Sequence, residues 1–201
     1  MPDENQKPKI FISLVAQIGA GKDEFVKTVK DHIGGATSLT TIRFSDPLFA
    51  ICSEFEISPT RENLQKISAF LDRKFPRGRL TAAIKNRALA ADADIVILNG
   101  VRWPSDEEMV RSLPHHIMVY ITAHERIRYE RRRQSPEKPD EATMSFEEFQ
   151  AKNQAITETS IPDIGSRADV VIENNGTLQE FQARVVDLLY RILGYSSGAG
   201  D

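Results

Sequence analysis

KIFISLVAQIGAGKDEF, residues 9–25, decides the architecture of this chain. Its first eight residues are an almost continuous apolar run, which suits a strand covered on both faces. Gly19 and Gly21 follow at once, then Lys22 and a stretch of helical spacing from Asp23 to Ile33. A strand that bends through glycines into a helix presents backbone N–H groups at the bend, and the positive end of the helix dipole lies beside them. Anionic oxygens are the natural ligand of such a bend. Gln17, Ile18, Gly19, Ala20, Gly21, Lys22, Asp23 and Glu24 are therefore the expected phosphate-binding residues, with the mobile Lys22 ammonium reaching the outer phosphates.

The stretch departs twice from the phosphate-loop pattern G-x-x-x-x-G-K-[ST]. Ala16 stands where the first glycine is usual, and lacks only the freedom of positive φ. Asp23 stands at the hydroxyl position. Its carboxylate can meet a magnesium ion directly or through water, and it also favours the start of the helix electrostatically. The competing reading is a glycine-rich turn with no ligand.

Working outward, four more β-rich runs appear at SLTTIRF (38–44), DIVIL (94–98), HIMVYIT (116–122) and ADVVIE (168–173). Helical spacing lies between them at Arg61 to Phe75, Leu80 to Ala91, Phe146 to Glu158 and Thr177 to Leu193. In the last, Leu178, Phe181, Val185, Leu188, Leu189 and Ile192 form one apolar stripe. Strand and helix alternate, so the expected fold is α/β, a parallel sheet sandwiched by helices in three layers. Residues 1–8 and 194–201 are small and polar and read as flexible ends of a single domain spanning 9–193.

Composition narrows the function. The 201 residues carry 26 basic and 29 acidic side chains, a net charge of -3, so no global field draws in nucleic acid or an anionic membrane. Cys52 is the sole cysteine, which rules out an internal disulfide and points to a reducing, cytoplasmic setting. No apolar run is long enough to span a bilayer. The adjacent His115 and His116 open a strand and face opposite sides, which defeats shared metal coordination.

Several further residues fall where parallel strands end, the usual ligand crevice of such sheets. Asp46, in RFSDPLF, either faces that crevice or caps a helix that begins at Pro47. Arg102, after ILNGV, either clamps a phosphate or pairs with Asp106 or Glu107. Arg43, Arg61 and Gln65 are weaker candidates, Arg61 and Gln65 lying one helical turn apart; solvated surface positions are the alternative. In ERIRYERRRQSPEKPDEA (125–142), Arg128 and Arg132 share a helix face with Arg131 beside them. Arginines brought over a phosphoryl group stabilise the charge that spreads across its oxygens. Ion pairing with Glu125 and Glu130 is the competing reading.

Taken with IGAGKDEF, FSDPL, ILNGVR, RYERRR and ADVVIENNGTLQEF, the chain resembles the P-loop kinases grouped with dephospho-CoA kinase, deoxynucleoside-monophosphate kinases and uncharacterised archaeal kinase-like proteins. The resemblance covers most of 9–193. It implies a five-stranded parallel core, a helical acceptor-binding insert at about 46–91 and an arginine-bearing lid at about 124–146. It also implies ATP and Mg²⁺ as ligands and a small nucleotide acceptor, in a monomer or homodimer without nucleic-acid or membrane partners. The family often carries an acidic residue where Asn99 stands, so a second-shell magnesium partner is missing here. It further suggests that the Asn174-Asn175-Gly176 turn borders the adenine, that Asp46 orients or deprotonates an acceptor hydroxyl or helps arrange magnesium-bound waters, and that the helix carrying Arg61 and Gln65 shapes the acceptor pocket. The arginines favour a nucleoside monophosphate as acceptor. Dephospho-CoA, for which Asp46 would matter more, and a regulatory ATPase without an acceptor are the alternatives.

Overall fold

The computed structural model describes residues 8–75, 78–134, 143–154 and 156–194. Five parallel strands form one sheet: β1 (Ile10–Ala16), β2 (Leu39–Arg43), β3 (Ile95–Val101), β4 (His116–Thr122) and β5 (Val170–Glu173), in the order β2-β3-β1-β4-β5. The expected strand at DIVIL is longer than its apolar run, because it continues through Asn99 and Gly100. Gly100, at φ 107°, is skipped in the pairing of β1 with β3, where Leu14 faces Asn99 and Val15 faces Val101. That bulge re-aims the end of β3, and glycine supplies the positive φ it needs.

Helices cover both faces, as the continuous apolar runs require. On one side α1 (Lys22–His32) and α10 (Leu178–Leu193) pack Phe25, Val29, Phe181, Val185 and Leu189 against Ile12, Leu14 and Ile97. On the other, α4 (Arg79–Ala90), α5 (Pro104–Arg111) and α9 (Ile161–Gly165) set Ile84, Ala88, Val110, Ile161 and Ile164 against Phe11, Val15 and Leu98. Thr177 caps α10 by accepting from the Glu180 amide, while the Glu180 carboxylate accepts from the Thr177 amide.

Between β2 and β3 run α2 (Asp46–Glu54), α3 (Arg61–Lys74) and α4. After β4 come α6 (Glu125–Arg133), α7 (Phe146–Asn153) and the four-residue α8 (Ile156–Thr159). The single helix expected from Phe146 to Glu158 is thus two. The break lets Asn153 and Glu158 turn to different partners, Arg128 and Arg102. Residues 135–142 of the expected lid and the ends 1–7 and 195–201 lie outside the described residues. Among the described residues no helix is long and apolar enough to cross a membrane.

Candidate functional site

The chain order places a reversal between β1 and β3. The chain leaves β1 toward β2 and leaves β3 toward β4, so a crevice opens beyond the carboxyl ends of these two neighbours. The glycine bend fills its centre. Gly19 has φ 79° and Gly21 has φ 113°, backbone geometry that a side chain at either position would strain. Ala16 ends β1 in register with Ile121 and has no positive φ, so the missing first glycine costs the bend nothing.

Packing restricts both glycines further. A Cβ at Gly19 would lie 2.5 Å from the Arg128 carbonyl oxygen, and one at Gly21 would lie 2.5 Å from Asn174 Nδ2. Arg128 is 4% exposed. It donates to Ile18 O at 3.0 Å, to Ala123 O at 3.1 Å and to Asn153 Oδ1 at 3.1 Å, and it stacks over Phe149. Burial holds its guanidinium below the ordinary arginine value. Asn174, also buried, donates from Nδ2 to Ala20 O at 2.9 Å. Arg131 steadies the same turn from outside, donating to the carbonyls of Asn174 and Gly176. The expected lid arginines, Arg128 and Arg132 with Arg131 beside them, therefore take separate placements. Arg128 and Arg131 are committed to backbone carbonyls, and Arg132 lies half-buried further along α6.

Lys22 opens α1, with Nζ 3.6 Å from Asp23 Oδ2. Asp23 Oδ1 lies 3.5 Å from Asn99 Nδ2 across the crevice. Asn99 is 5% exposed, yet its Oδ1 has no hydrogen-bond partner, and neither has Thr41 Oγ1 one strand away. A buried acceptor without a donor costs free energy, so native structures usually supply water or a ligand there. Both residues line a cavity of about 490 Å³ with Asp23, Lys27, Lys30, Arg43 and Asp46. Glu24 points elsewhere, its carboxylate accepting from Gln182 of α10 at 2.8 Å.

Asp46 is the first residue of α2, after Ser45, and its Oδ2 accepts from the Arg43 amide at 2.7 Å. That bond folds the end of β2 back toward the cavity and leaves Oδ1 for other work. The Arg102 guanidinium pairs with Glu158, which is 1% exposed, rather than with Asp106 or Glu107. Asp106 instead accepts from the amides of Arg102 and Trp103, and burial raises its pKa. Glu107 holds Arg111 and Arg167. Gln65 is exposed on α3, outside the cavity lining, and Arg61 opens α3 with its side chain outside the described residues. His116 bonds Ser13 Oγ at 2.8 Å, and burial lowers its pKa to about 4. Among the described residues no cluster of histidine, cysteine and carboxylate side chains is placed to hold a metal unaided.

The fold recurs in solved structures. Shikimate kinase from Bacteroides thetaiotaomicron superposes with a TM-score of 0.59 at 15% identity, over 92% of this chain and 98% of that one. The fold is that of the P-loop kinases. Shikimate kinase from Acinetobacter baumannii, solved in complex with shikimate, gives 0.57 at 14% identity over 94% and 95%. By sequence the chain is 26% identical to a UPF0200 protein of Pyrococcus horikoshii over 189 residues, 92% of this chain and 98% of the relative. A UPF0200 protein of Hyperthermus butylicus is 27% identical over 138 residues, 69% and 73% of the two chains. No family model matches.

Sequence reasoning passed over Asn174, Thr41 and Glu158 as working residues. Asn174 stood in a noticed turn, but nothing local marks its side chain as reaching Ala20, 154 positions away. Thr41 had a faint signal, a polar residue in a strand next to the edge of the crevice.

Proposed function

We propose that this chain is an ATP-dependent phosphotransferase that passes the γ-phosphate to a small nucleotide acceptor, most simply a nucleoside monophosphate. The observation that carries the reading is the shared crevice. The Gly19–Lys22 bend adjoins a cavity of about 490 Å³ whose lining includes Asp23, Asp46, Asn99 and Arg43, a size suited to a small-molecule ligand. Gly19, Gly21 and the first turn of α1 hold the triphosphate through backbone N–H groups. Lys22 neutralises its outer oxygens.

Magnesium fits the donor set. Asp23 and Asp46 offer carboxylate oxygens, and the partnerless Asn99 Oδ1 offers an acceptor to a metal-bound water. All are hard oxygen donors, and Mg²⁺ keeps several waters and needs few protein ligands beside phosphate. When bound, the ion would supply charge neutralisation at the β- and γ-phosphates. Asp46 orients the acceptor, and deprotonates it where it is a hydroxyl. Arg43, in the cavity lining, and Arg102, just after β3, serve the acceptor phosphate, and α2–α4, including Arg61 and Gln65, form the acceptor-binding insert. The segment 124–146 is the lid, with Arg132 its candidate for the transferring phosphoryl group.

ADP formation from Mg·ATP, measured with a panel of nucleoside monophosphates, dephospho-CoA and shikimate, tests the reading. Acceptor-dependent turnover with a monophosphate is expected. Turnover only with dephospho-CoA or shikimate would move the acceptor class to a hydroxyl. Slow turnover indifferent to every acceptor would make the protein a regulatory ATPase instead.

A further inference from the structure

We infer that Arg128 and Asn174 are positioning residues that hold the phosphate loop in its binding shape before any phosphate arrives. The inference rests on the reading of that loop as a polyphosphate site.

A trans peptide points its C=O and N–H in opposite directions. Arg128 binds the Ile18 carbonyl, so the N–H of the same peptide, that of Gly19, points away from Arg128. Asn174 binds the Ala20 carbonyl, so the Gly21 N–H points away from Asn174. Between them, the Ala20 N–H is spent on Gln17 O at 3.1 Å. Alternate carbonyls are thus taken by side chains that come from distant parts of the chain, and the two glycine amides are left for a ligand. A concavity of such amides is what binds an anion.

The packing distances agree. Gly19 lies against the Arg128 backbone and Gly21 against the Asn174 amide, each with no room for a Cβ. Neither clamp is itself loose. Arg128 is tied to Ala123 and Asn153, Asn153 in turn donates to Glu125, and Arg131 holds the Asn174 carbonyl. A loop that keeps its shape without the ligand loses less conformational freedom on binding, so affinity is higher. Both clamps hold backbone carbonyls and make none of their bonds into the cavity, so their effect falls on phosphate affinity rather than on the acceptor.

Calorimetric titration of the full chain with inorganic tripolyphosphate is the test, because this probe has no base or ribose to contact the turn at Asn174. Arg128→Met, Arg128→Lys and Asn174→Ala are compared with the unaltered chain and with Asn153→Ala, which loosens the same network without touching the loop. Arg128→Met and Asn174→Ala should each weaken binding about tenfold, with Arg128→Lys nearly as weak as Arg128→Met because a single ammonium nitrogen cannot stand at both the Nε and Nη1 positions from which Arg128 reaches its acceptors. Asn153→Ala should lower the melting temperature but leave affinity within about twofold. In glycine-labelled spectra of the ligand-free protein, the Gly19 and Gly21 amides should be single and sharp, and should broaden or split in the clamp variants. If Arg128→Lys binds like the unaltered chain, charge alone is at work and the clamp is overturned. Equal weakening by Asn153→Ala would overturn it as well, since general stability would then be the cause. Should an arginine variant fail to fold, Asn174→Ala against Asn153→Ala makes the same comparison. Failure of the unaltered chain to bind tripolyphosphate would instead remove the phosphate-loop reading itself.

Discussion

The bend at Gly19–Lys22 and the helix α3 are built in opposite ways. The bend is held by buried side chains. Arg128 is 4% and Asn174 6% exposed, and both bond to its carbonyls. Of α3, by contrast, no described side chain is fully buried. Phe49, Phe55, Ile57, Phe70 and Phe75, on α2 and α3 or just beyond their ends, are all substantially exposed. The difference suits what each side is proposed to hold. A triphosphate is the same in every nucleotide, so rigid backbone amides suit it. An acceptor is recognised through its particular groups, which surface side chains on loosely packed helices can meet by closing over it. Low packing is also where local opening is least costly.

That contrast can be broken or sharpened in four ways. Lys22→Ala should lower the transfer rate at saturating ATP by at least about a hundredfold, because it removes the cation beside the transferring phosphoryl group. Unchanged turnover, measured as ADP release, would deny the bend its role. Gly19→Ala should weaken ADP binding by tens of fold and cost roughly 1–3 kcal/mol of stability, since φ 79° and the Arg128 carbonyl both oppose a methyl group. A binding constant within twofold of the unaltered chain would show that the bend is less rigid than described.

Arg102→Ala tests the pairing just beyond β3. Removing one partner of a wholly buried pair costs about 3–5 kcal/mol. With 35% of the Arg102 side chain in water, a loss of about 2 kcal/mol in urea unfolding is expected. A larger loss in turnover than in stability would place the guanidinium on the acceptor. The smallest effect belongs to Gln65→Ala. An exposed residue on a sparsely packed helix should change stability by less than about 0.5 kcal/mol and leave ADP affinity untouched, altering only the acceptor KM. Any effect on ADP affinity would mean that the two sides are coupled more tightly than their packing suggests.

How far the sequence could be read depended on the range of the signal. HIMVYIT was predicted as a strand over 116–122 and is β4 over the same residues, because apolar continuity is a local property. The start of α1 was legible for the same reason, as Gly19 and Gly21 announce their own backbone geometry. The α5 helix passed unremarked between two stronger signals, and α2 was visible only through Asp46-Pro47. For Arg102 the alternative to a phosphate clamp was an ion pair with Asp106 or Glu107, and the structure gives it a different carboxylate. Asp106 and Glu107 are near in sequence, but Glu158 is brought to it by the break between α7 and α8. For Arg128, a charged residue in an arginine-rich run reads as solvated or ligand-facing, and no pattern of spacing marks one of the run as buried.

The sequence by itself determined the layers, the strand that feeds the glycine bend, and the lysine that follows it. Periodicity and glycine placement act within a few residues, so they survive in the one-dimensional record. Which carbonyl each buried side chain would hold, which carboxylate Arg102 would meet, and that Asn99 Oδ1 and Thr41 Oγ1 would face one cavity without partners were decided only in three dimensions. Those are relations across 56 to 154 positions, fixed when the sheet order brings the strand ends together. A hydrogen bond constrains distance and angle between atoms, and the sequence interval between them leaves no trace of either.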